Sequence, residues 1–303
     1  MKSILIERVE FMKVGVALSG GGMKGIAHAG ALKALEEAGI EISIIGGTSS
    51  GSLVASLYAM GYSPYYIYLL FEQYSKELLK VDTVIPVIRH FFERKKFNLV
   101  GIRKGELIQN EFNELAKRKN VKTIKDVKIP LVIPAVDLKE AREYVFTNYI
   151  PEKNLKKEAE DEEKIGKSVE YIDDISVGMA VRASSSFPGA FCPCEYKGHY
   201  FLDGGILDNV PVSEIKKQGA DCVIAINFKP DNLEENSNLM DIMMRTIDIM
   251  GNRILEPTLK ESDFLLTLEP EKMGLFDVTR LESCYNYGYV KAKENLKSWN
   301  IKN

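Results

Sequence analysis

Gly47-Thr48-Ser49-Ser50-Gly51 is a G-x-S-x-G lying between an apolar strand and a helix. A nucleophilic serine needs a tight turn that projects its Oγ over the end of a sheet. Glycines two residues before and after remove the side chains that would clash there. The helix N-terminus that follows adds backbone N–H groups and the positive end of a dipole. A serine-rich helix cap would account for Ser49 or Ser50 alone but leaves the flanking glycines unexplained. The pattern points to covalent catalysis by a serine.

A second loop, Gly20-Gly21-Gly22-Met23-Lys24-Gly25, also joins a strand to a helix and has two readings. It satisfies G-x-G-x-x-G, the dinucleotide fingerprint. It also lines up backbone N–H donors at a helix N-terminus, as an oxyanion requires. The dinucleotide reading expects a carboxylate about 20 residues on, at the end of the next strand. That strand ends in Gly46-Gly47 and runs on to Ser49, with no acid. A phosphate loop is excluded as well, since neither serine nor threonine follows Lys24.

A serine nucleophile needs a base. Asp203-Gly204-Gly205 follows the alternating strand His199–Leu202. In water an aspartate, with its usual pKa of ~3.9, is a poor base; burial and a direct hydrogen bond would raise its basicity and orient the hydroxyl. Histidine competes for the role. Chain order allows a Ser…acid…His triad ending at His199, with Asp137, Asp173 or Asp174 as the acid. His28 is expected to pack or hydrogen-bond under the glycine loop, and His90 to lie at the surface. Asp203 and His199 both stand as candidates at this point.

The elements that must position these residues read as α/β. Val14–Leu18 is a strand, 26–38 a helix closed by Gly39, 40–45 a strand, and 52–60 a helix ending at Gly61. Two successive strand–turn–helix units imply a parallel sheet with helices on its faces. Residues 63–119 read as helical and aromatic. Strands follow at 129–136 and 142–147, a helix at 175–184, a hairpin at 195–203 and a strand at 221–227. The remainder reads as a long methionine-bearing helix, a strand at 264–268 and a final helix. The charge run within 151–170 lacks apolar periodicity and reads as a solvated insertion.

Composition narrows the function. With 40 basic and 43 acidic side chains the chain of 303 residues has a net charge of −3, without the basic excess of a general nucleic-acid binder. Hydrophobic residues at 45% and charged residues at 27% are globular values. Four scattered cysteines make neither a disulfide scaffold nor a zinc site. No apolar segment is long enough for a membrane span, and Glu7, Arg8 and Glu10 interrupt any signal-peptide core. The expectation is a cytoplasmic protein, peripheral at the membrane if it meets one.

Four blocks together resemble the patatin-like phospholipase family, in particular its small bacterial members. They are L-S-G-G-G-M-K-G-I-A-H-A-G-A-L-K-A-L-E-E-A-G-I (18–40), G-T-S-S-G (47–51), R-A-S-S-S-F-P-G-A-F (182–191) and D-G-G-I-L-D-N-V-P-V (203–212). Each is moderately specific; in this order the set is highly specific, and it spans about 13–213. The resemblance implies a three-layer α/β/α fold with a mainly parallel sheet and a serine–aspartate dyad without histidine. Ser49 matches the nucleophile, flanked by Gly47 and Gly51 of the elbow, and Asp203 matches the base. Gly20, Gly21, Gly22, Met23, Lys24 and Gly25 match the oxyanion hole, Lys24 standing where the family carries arginine or lysine. Gly204, Gly205, Asn209 and Pro211 match the supporting loop.

The implied activity is hydrolysis of acyl esters of phospholipids and related lipids, with neither metal nor cofactor. The implied partners are an acyl lipid and a transient membrane surface, with no nucleic acid. Residues 13–213 would form the catalytic domain, and 214–303 would pack onto it. Residues 63–100 are a candidate acyl-facing cap. A start at Met12 stays open, since the first block begins just after it. Two other readings stand beside the hydrolase: an idle lipid-binding or regulatory protein, and a nucleotide-binding module using loop 20–25.

Overall fold

The computed structural model describes residues 12–80, 105–151, 169–230, 239–271, 273 and 277–299. Its strands are β1 Val14–Leu18, β2 Ile42–Gly47, β3 Leu131–Asp137, β4 Arg142–Thr147, β5 Glu170–Ile172, β6 Cys194–Tyr196, β7 His199–Asp203, β8 Cys222–Phe228 and β9 Phe264–Leu268. Its helices are α1 Ile26–Glu37, α2 Ser50–Ala59, α3 Pro64–Lys80, α4 Glu106–Arg118, α5 Val177–Ser184, α6 Val212–Lys217, α7 Leu239–Lys260 and α8 Leu281–Ser298.

All nine strands join one sheet, whose main path runs β5-β4-β3-β2-β1-β8-β9 with β7 on β3 and β6 on β7. The pairs β1–β2, β1–β8, β2–β3, β8–β9 and β4–β5 are parallel, while β3–β4, β3–β7 and β6–β7 are antiparallel. Every residue of β1 and β3 is buried, the pattern of a sheet covered on both faces. On one face Val16, Leu18, Ile45, Ile133 and Ile224 join a core with residues of α1 to α5 and α8. On the other, Ala17, Ile44, Val132 and Val223 meet Val212 and Ile215 of α6 and Leu255 and Leu259 of α7. The architecture is therefore three-layered, α/β/α, as the sequence predicts.

One edge of β3 is divided. β2 pairs with Leu131 and Val132 and then turns away into α2. β7 arrives from the other direction and takes Ala135 to Asp137 of the same edge. The vacated stretch of edge brings the end of β7, Asp203, to the turn that ends β2. Such long-range pairing has no local signature in the sequence.

Helices occupy 64–80 and 106–118 of the segment read as helical; 81–104, with His90, lie outside the described residues. Residues 152–168 of the charge run also lie outside them, and Glu170 opens β5 alongside β4. Strand β2 reaches Gly47, two residues beyond the apolar run.

Helix α8 crosses α1 at a pair of glycines. A Cβ at Gly30 would overlap the Tyr285 carbonyl oxygen, and one at Gly288 would overlap that of Ala27. The two backbones touch, and neither has a flexible side chain that could yield. Gly288→Leu is expected to cost about 3 kcal/mol by overpacking, lowering Tm by roughly 6–10 °C. Lys297→Ala, exposed on the same helix, should change stability by less than about 0.5 kcal/mol. Thermal melts followed by circular dichroism compare the two.

Candidate active site

Ser49 sits where β2 passes into α2, with φ +52° and ψ −123°. A non-glycine residue held there costs about 1–3 kcal/mol, which the surroundings must offset. They do so by crowding: a Cβ on Gly47 would overlap the Gly51 backbone, and one on Gly51 would overlap the Leu18 and Ser19 carbonyls. The Thr48 amide bonds Leu18 O at 3.1 Å and the Gly51 amide bonds Thr48 O at 2.8 Å. The Thr48 hydroxyl donates to Asp208 O at 2.8 Å. Thr48 and Ser50 are buried, whereas Ser49 remains partly open to solvent.

Asp203 ends β7 and is 3% exposed. Its amide bonds Ser186 O at 3.1 Å, and its Oδ1 accepts the Gly205 amide at 2.8 Å. Burial pushes its carboxyl up to about 6, against the opposing hydrogen-bonding pull of the Ser49 hydroxyl and the Gly205 amide. Oδ2 is buried and holds no donor in full hydrogen-bond geometry. Ser49 therefore stands near this carboxylate without being aligned on it.

The block 182–191, which the sequence left without a task, holds both residues. Ser184 Oγ accepts the Ser49 amide at 3.1 Å, and Ser186 supplies the carbonyl that fixes Asp203. Ser184 was missed as a site residue because three successive serines look alike in sequence.

The glycine loop lies beside the elbow. The Gly20 amide is occupied, donating to Asn209 Oδ1 at 3.0 Å, so Asn209 ties the Asp203 loop to the glycine loop. Among the described residues the Gly21 and Gly22 amides meet no acceptor. A single 3₁₀ turn, Gly22–Gly25, carries Met23 and Lys24 into α1. Lys24 is 9% exposed, and its Nζ lies 5.8 Å from the Phe228 ring centroid. Gly204 packs against the Pro134 carbonyl of β3, where a Cβ would not fit. Pro211 caps α6, its carbonyl accepting the Ile215 amide at 3.1 Å.

The histidines separate by place. His28 is fully buried, and its Nε2 is 2.9 Å from Ser19 O. Since a carbonyl only accepts, Nε2 carries the proton. Burial holds the ring down to about 4 despite that bond, so His28 is a neutral strut under the loop, the position expected of it. His199 Nδ1 bonds Asp137 Oδ2 at 2.7 Å, so the acid–histidine pairing allowed by chain order does form. It forms at the wrong end of the strand: His199 and Asp203 are the two ends of β7, four residue steps or about 13 Å apart. The triad reading ends there.

Asp137, Glu140 and His199 bring three ligand atoms within 4.8 Å of one another. Asp137 Oδ1 already accepts the Lys139 and Glu140 amides at 2.6 and 3.0 Å, and Oδ2 takes His199. The cluster is a clasp between the β3–β4 turn and β7, with its donors and acceptors matched to each other.

Two features were invisible in the sequence. Burial, with the nearby Glu214 charge second, raises the Asp208 carboxyl, and burial beside Asp208 raises Glu143. Glu214 itself is held by Tyr171 Oη at 2.8 Å and Lys217 Nζ at 2.5 Å. Separately, an apolar cleft lies between α2, α3 and α4, lined by Met23 of the glycine loop and by Leu53, Leu57, Leu70, Phe71 and Phe112 among others. It reaches the site at Met23 and at Leu53, one helical turn beyond Ser49.

The profile of the patatin-like phospholipase family matches residues 16–215. Lysophospholipase NTE1 of Meyerozyma guilliermondii is 28% identical over 94% of this chain and 19% of that protein. Its counterpart from Yarrowia lipolytica is 30% identical over 71% of this chain and 12% of that protein. The chain thus spans about a fifth or less of the length of these relatives. Among solved structures, VipD from Legionella pneumophila aligns with a TM-score of 0.52 at 15% identity, over 95% of this chain and 67% of that one, a likeness of fold. With the elbow, the glycine loop and the Asp203 loop all inside the matched span, the chain belongs to the patatin-like phospholipase family.

Proposed function

We propose that this chain is a serine-dependent acyl hydrolase that cleaves carboxylic esters of phospholipids or related lipids through Ser49 and Asp203. The observation that carries the reading is a serine held in a strained elbow beside a buried aspartate whose carboxyl is pushed up to about 6. Asp203 accepts the Ser49 proton as Ser49 attacks the acyl carbonyl. The tetrahedral oxyanion forms against the Gly21 and Gly22 amides, backbone donors at the start of the 3₁₀ turn that leads into α1. The leaving alcohol takes the proton from Asp203, and water then hydrolyses the acyl-enzyme by the same route. The apolar cleft from Met23 and Leu53 receives the acyl chain. Lys24, Gly20, Gly25, Gly47, Gly51, Gly204, Gly205, Asn209 and Pro211 keep the loops in place.

The reading puts the enzyme in the cytoplasm and at a membrane surface. No disulfide joins its four cysteines. Among the described residues no helix is long and apolar enough to cross a membrane. The relatives named lysophospholipases support a lysophospholipid or phospholipid as substrate.

A fluorophosphonate probe should label Ser49, and Ser49→Ala or Asp203→Asn should each lower p-nitrophenyl acyl ester hydrolysis by about 10³-fold or more. His199→Ala should keep activity within a few fold; loss there with retention in Asp203→Asn would sink the dyad.

Asp203 must be ionised to act as base. Turnover of a soluble ester should therefore rise as pH passes through about 6 and level off above it, a profile that His28 cannot generate with its value of about 4.

The same carboxyl links activity to stability. Its folded value of about 6 lies above the ordinary 3.8, so its stabilising contribution is full below about pH 4 and is lost as pH rises through 6. Asp203→Asn removes that loss. Relative to the parent its advantage should build between about pH 4 and pH 6 and stay constant above that, at most about 3 kcal/mol, in urea titrations at each pH.

A further inference from the structure

The apolar cleft beside Ser49 has a shallow end and a deep one. Helix α2 leaves Ser49 with Leu53 one turn on and Leu57 two turns on, both lining the cleft. Helix α4 runs in the same direction. Near its start, Gln109 Oε1 accepts from Arg182 Nη1 at 2.9 Å, and Arg182 is two residues from Ser184, which holds the Ser49 amide. At its end, Leu115 O accepts the Tyr62 hydroxyl at 2.8 Å and Lys119 Nζ donates to Gly61 O at 2.9 Å, both just past α2. Burial deepens along both helices in that direction. Leu53, Leu107 and Ile108 are partly exposed, whereas Leu57 and Leu115 are each 1% exposed. Leu70 and Phe71 of α3 form the third wall, and among the described lining residues Glu111 alone is charged.

We propose that this depth measures the acyl chain: Leu57 and Leu115 form a floor that makes medium-chain acyl esters, of about eight to ten carbons, the preferred substrates. The proposal rests on the acyl-hydrolase reading for the bond that is cleaved and on the gradient of burial for the length. From Ser49 to Leu57 the chain climbs α2 by about 12 Å. An extended chain advances about 1.2 Å per bond, the value implied by three backbone bonds in a residue of ~3.6 Å. The distance therefore holds about ten carbons, and the Leu57 side chain, leaning back towards the helix N-terminus, takes the place of the last one or two. The apolar lining suits a methylene chain, since each CH₂ that leaves water for the cleft raises affinity about fourfold. A methylene beyond the floor meets packed core instead, and forcing it in carries the cost of overpacking.

Hydrolysis of p-nitrophenyl esters from butyrate to palmitate tests the proposal. kcat/KM should climb by up to about fourfold per added methylene and break near decanoate. Leu57→Ala and Leu115→Ala should each move the break about two carbons longer, and Leu57→Phe about two carbons shorter. Calorimetric titration of saturated fatty acids into Ser49→Ala should show the same break in affinity, with no turnover needed. A parent still climbing at palmitate overturns the proposal, even where the floor variants fold poorly. So does a break that stays at the parent's length in both Leu57→Ala and Leu57→Phe when circular dichroism shows them folded. If no ester of any length is hydrolysed, the hydrolase reading falls and the floor is judged on fatty-acid binding alone: a break near decanoate sustains it, and a smooth climb or no binding overturns it.

Discussion

A carboxylate taken out of water beside a serine is the costly element of this molecule, and much of the structure serves to keep Asp203 there. An ionised carboxyl in a low-dielectric site relieves its energy by taking up a proton unless donors hold it charged. Asp203 has one fixed donor, the Gly205 amide, and a second oxygen left open. That incomplete satisfaction leaves it more basic than a solvated aspartate and still ionised near neutrality. A fully bonded carboxylate would be a better structural element and a worse base.

The position of that carboxylate depends on an arrangement of backbone. Strand β3 shares one edge between β2 and β7, so the turn that lifts Ser49 off the sheet also opens the place that Asp203 fills. The strain at Ser49 and the burial at Asp203 are thus two consequences of the same departure of β2. Residues 182–191 lock the pair from behind through Ser184 and Ser186. Asn209 then joins the aspartate loop to the glycine loop. Displacing any of these contacts moves two loops at once, which is why the cluster is built mostly from backbone atoms and short side chains.

Local signals in the sequence reach some of this and stop at identifiable points. The elbow glycines, the helix closed at Gly39 and the strand at Phe264–Leu268 are legible because turn chemistry and apolar periodicity act within a few residues. The division of β3 is not, because pairing of β7 with β3 joins segments more than 60 residues apart. The same blindness left His199 open as a base: chain order carries no distance, and Asp137 does pair with it, only at the other end of β7. Phe228 escaped notice for a similar reason. It ends an ordinary buried strand, and only in three dimensions does its ring meet Gly21, His28 and Lys24.

The matched family span ends at residue 215, but the support of the glycine loop does not. Helix α8 lies wholly beyond that span, yet Gly288 touches Ala27 of α1 and the Cys284 thiol reaches Lys24 O at 3.6 Å. Strand β8, also beyond it, supplies Ile226 O to the Ser19 amide and Phe228 to the space under Gly21. The proposed oxyanion donors are therefore held from below by elements outside the matched span. His28 completes that floor as a neutral ring, with burial suppressing its charge. A protonated imidazole there would be a fully buried charge, and burial is what disfavours it. One effect, burial, thus acts in opposite directions on charge: it keeps His28 neutral under the loop and makes Asp203, the proposed base, more basic.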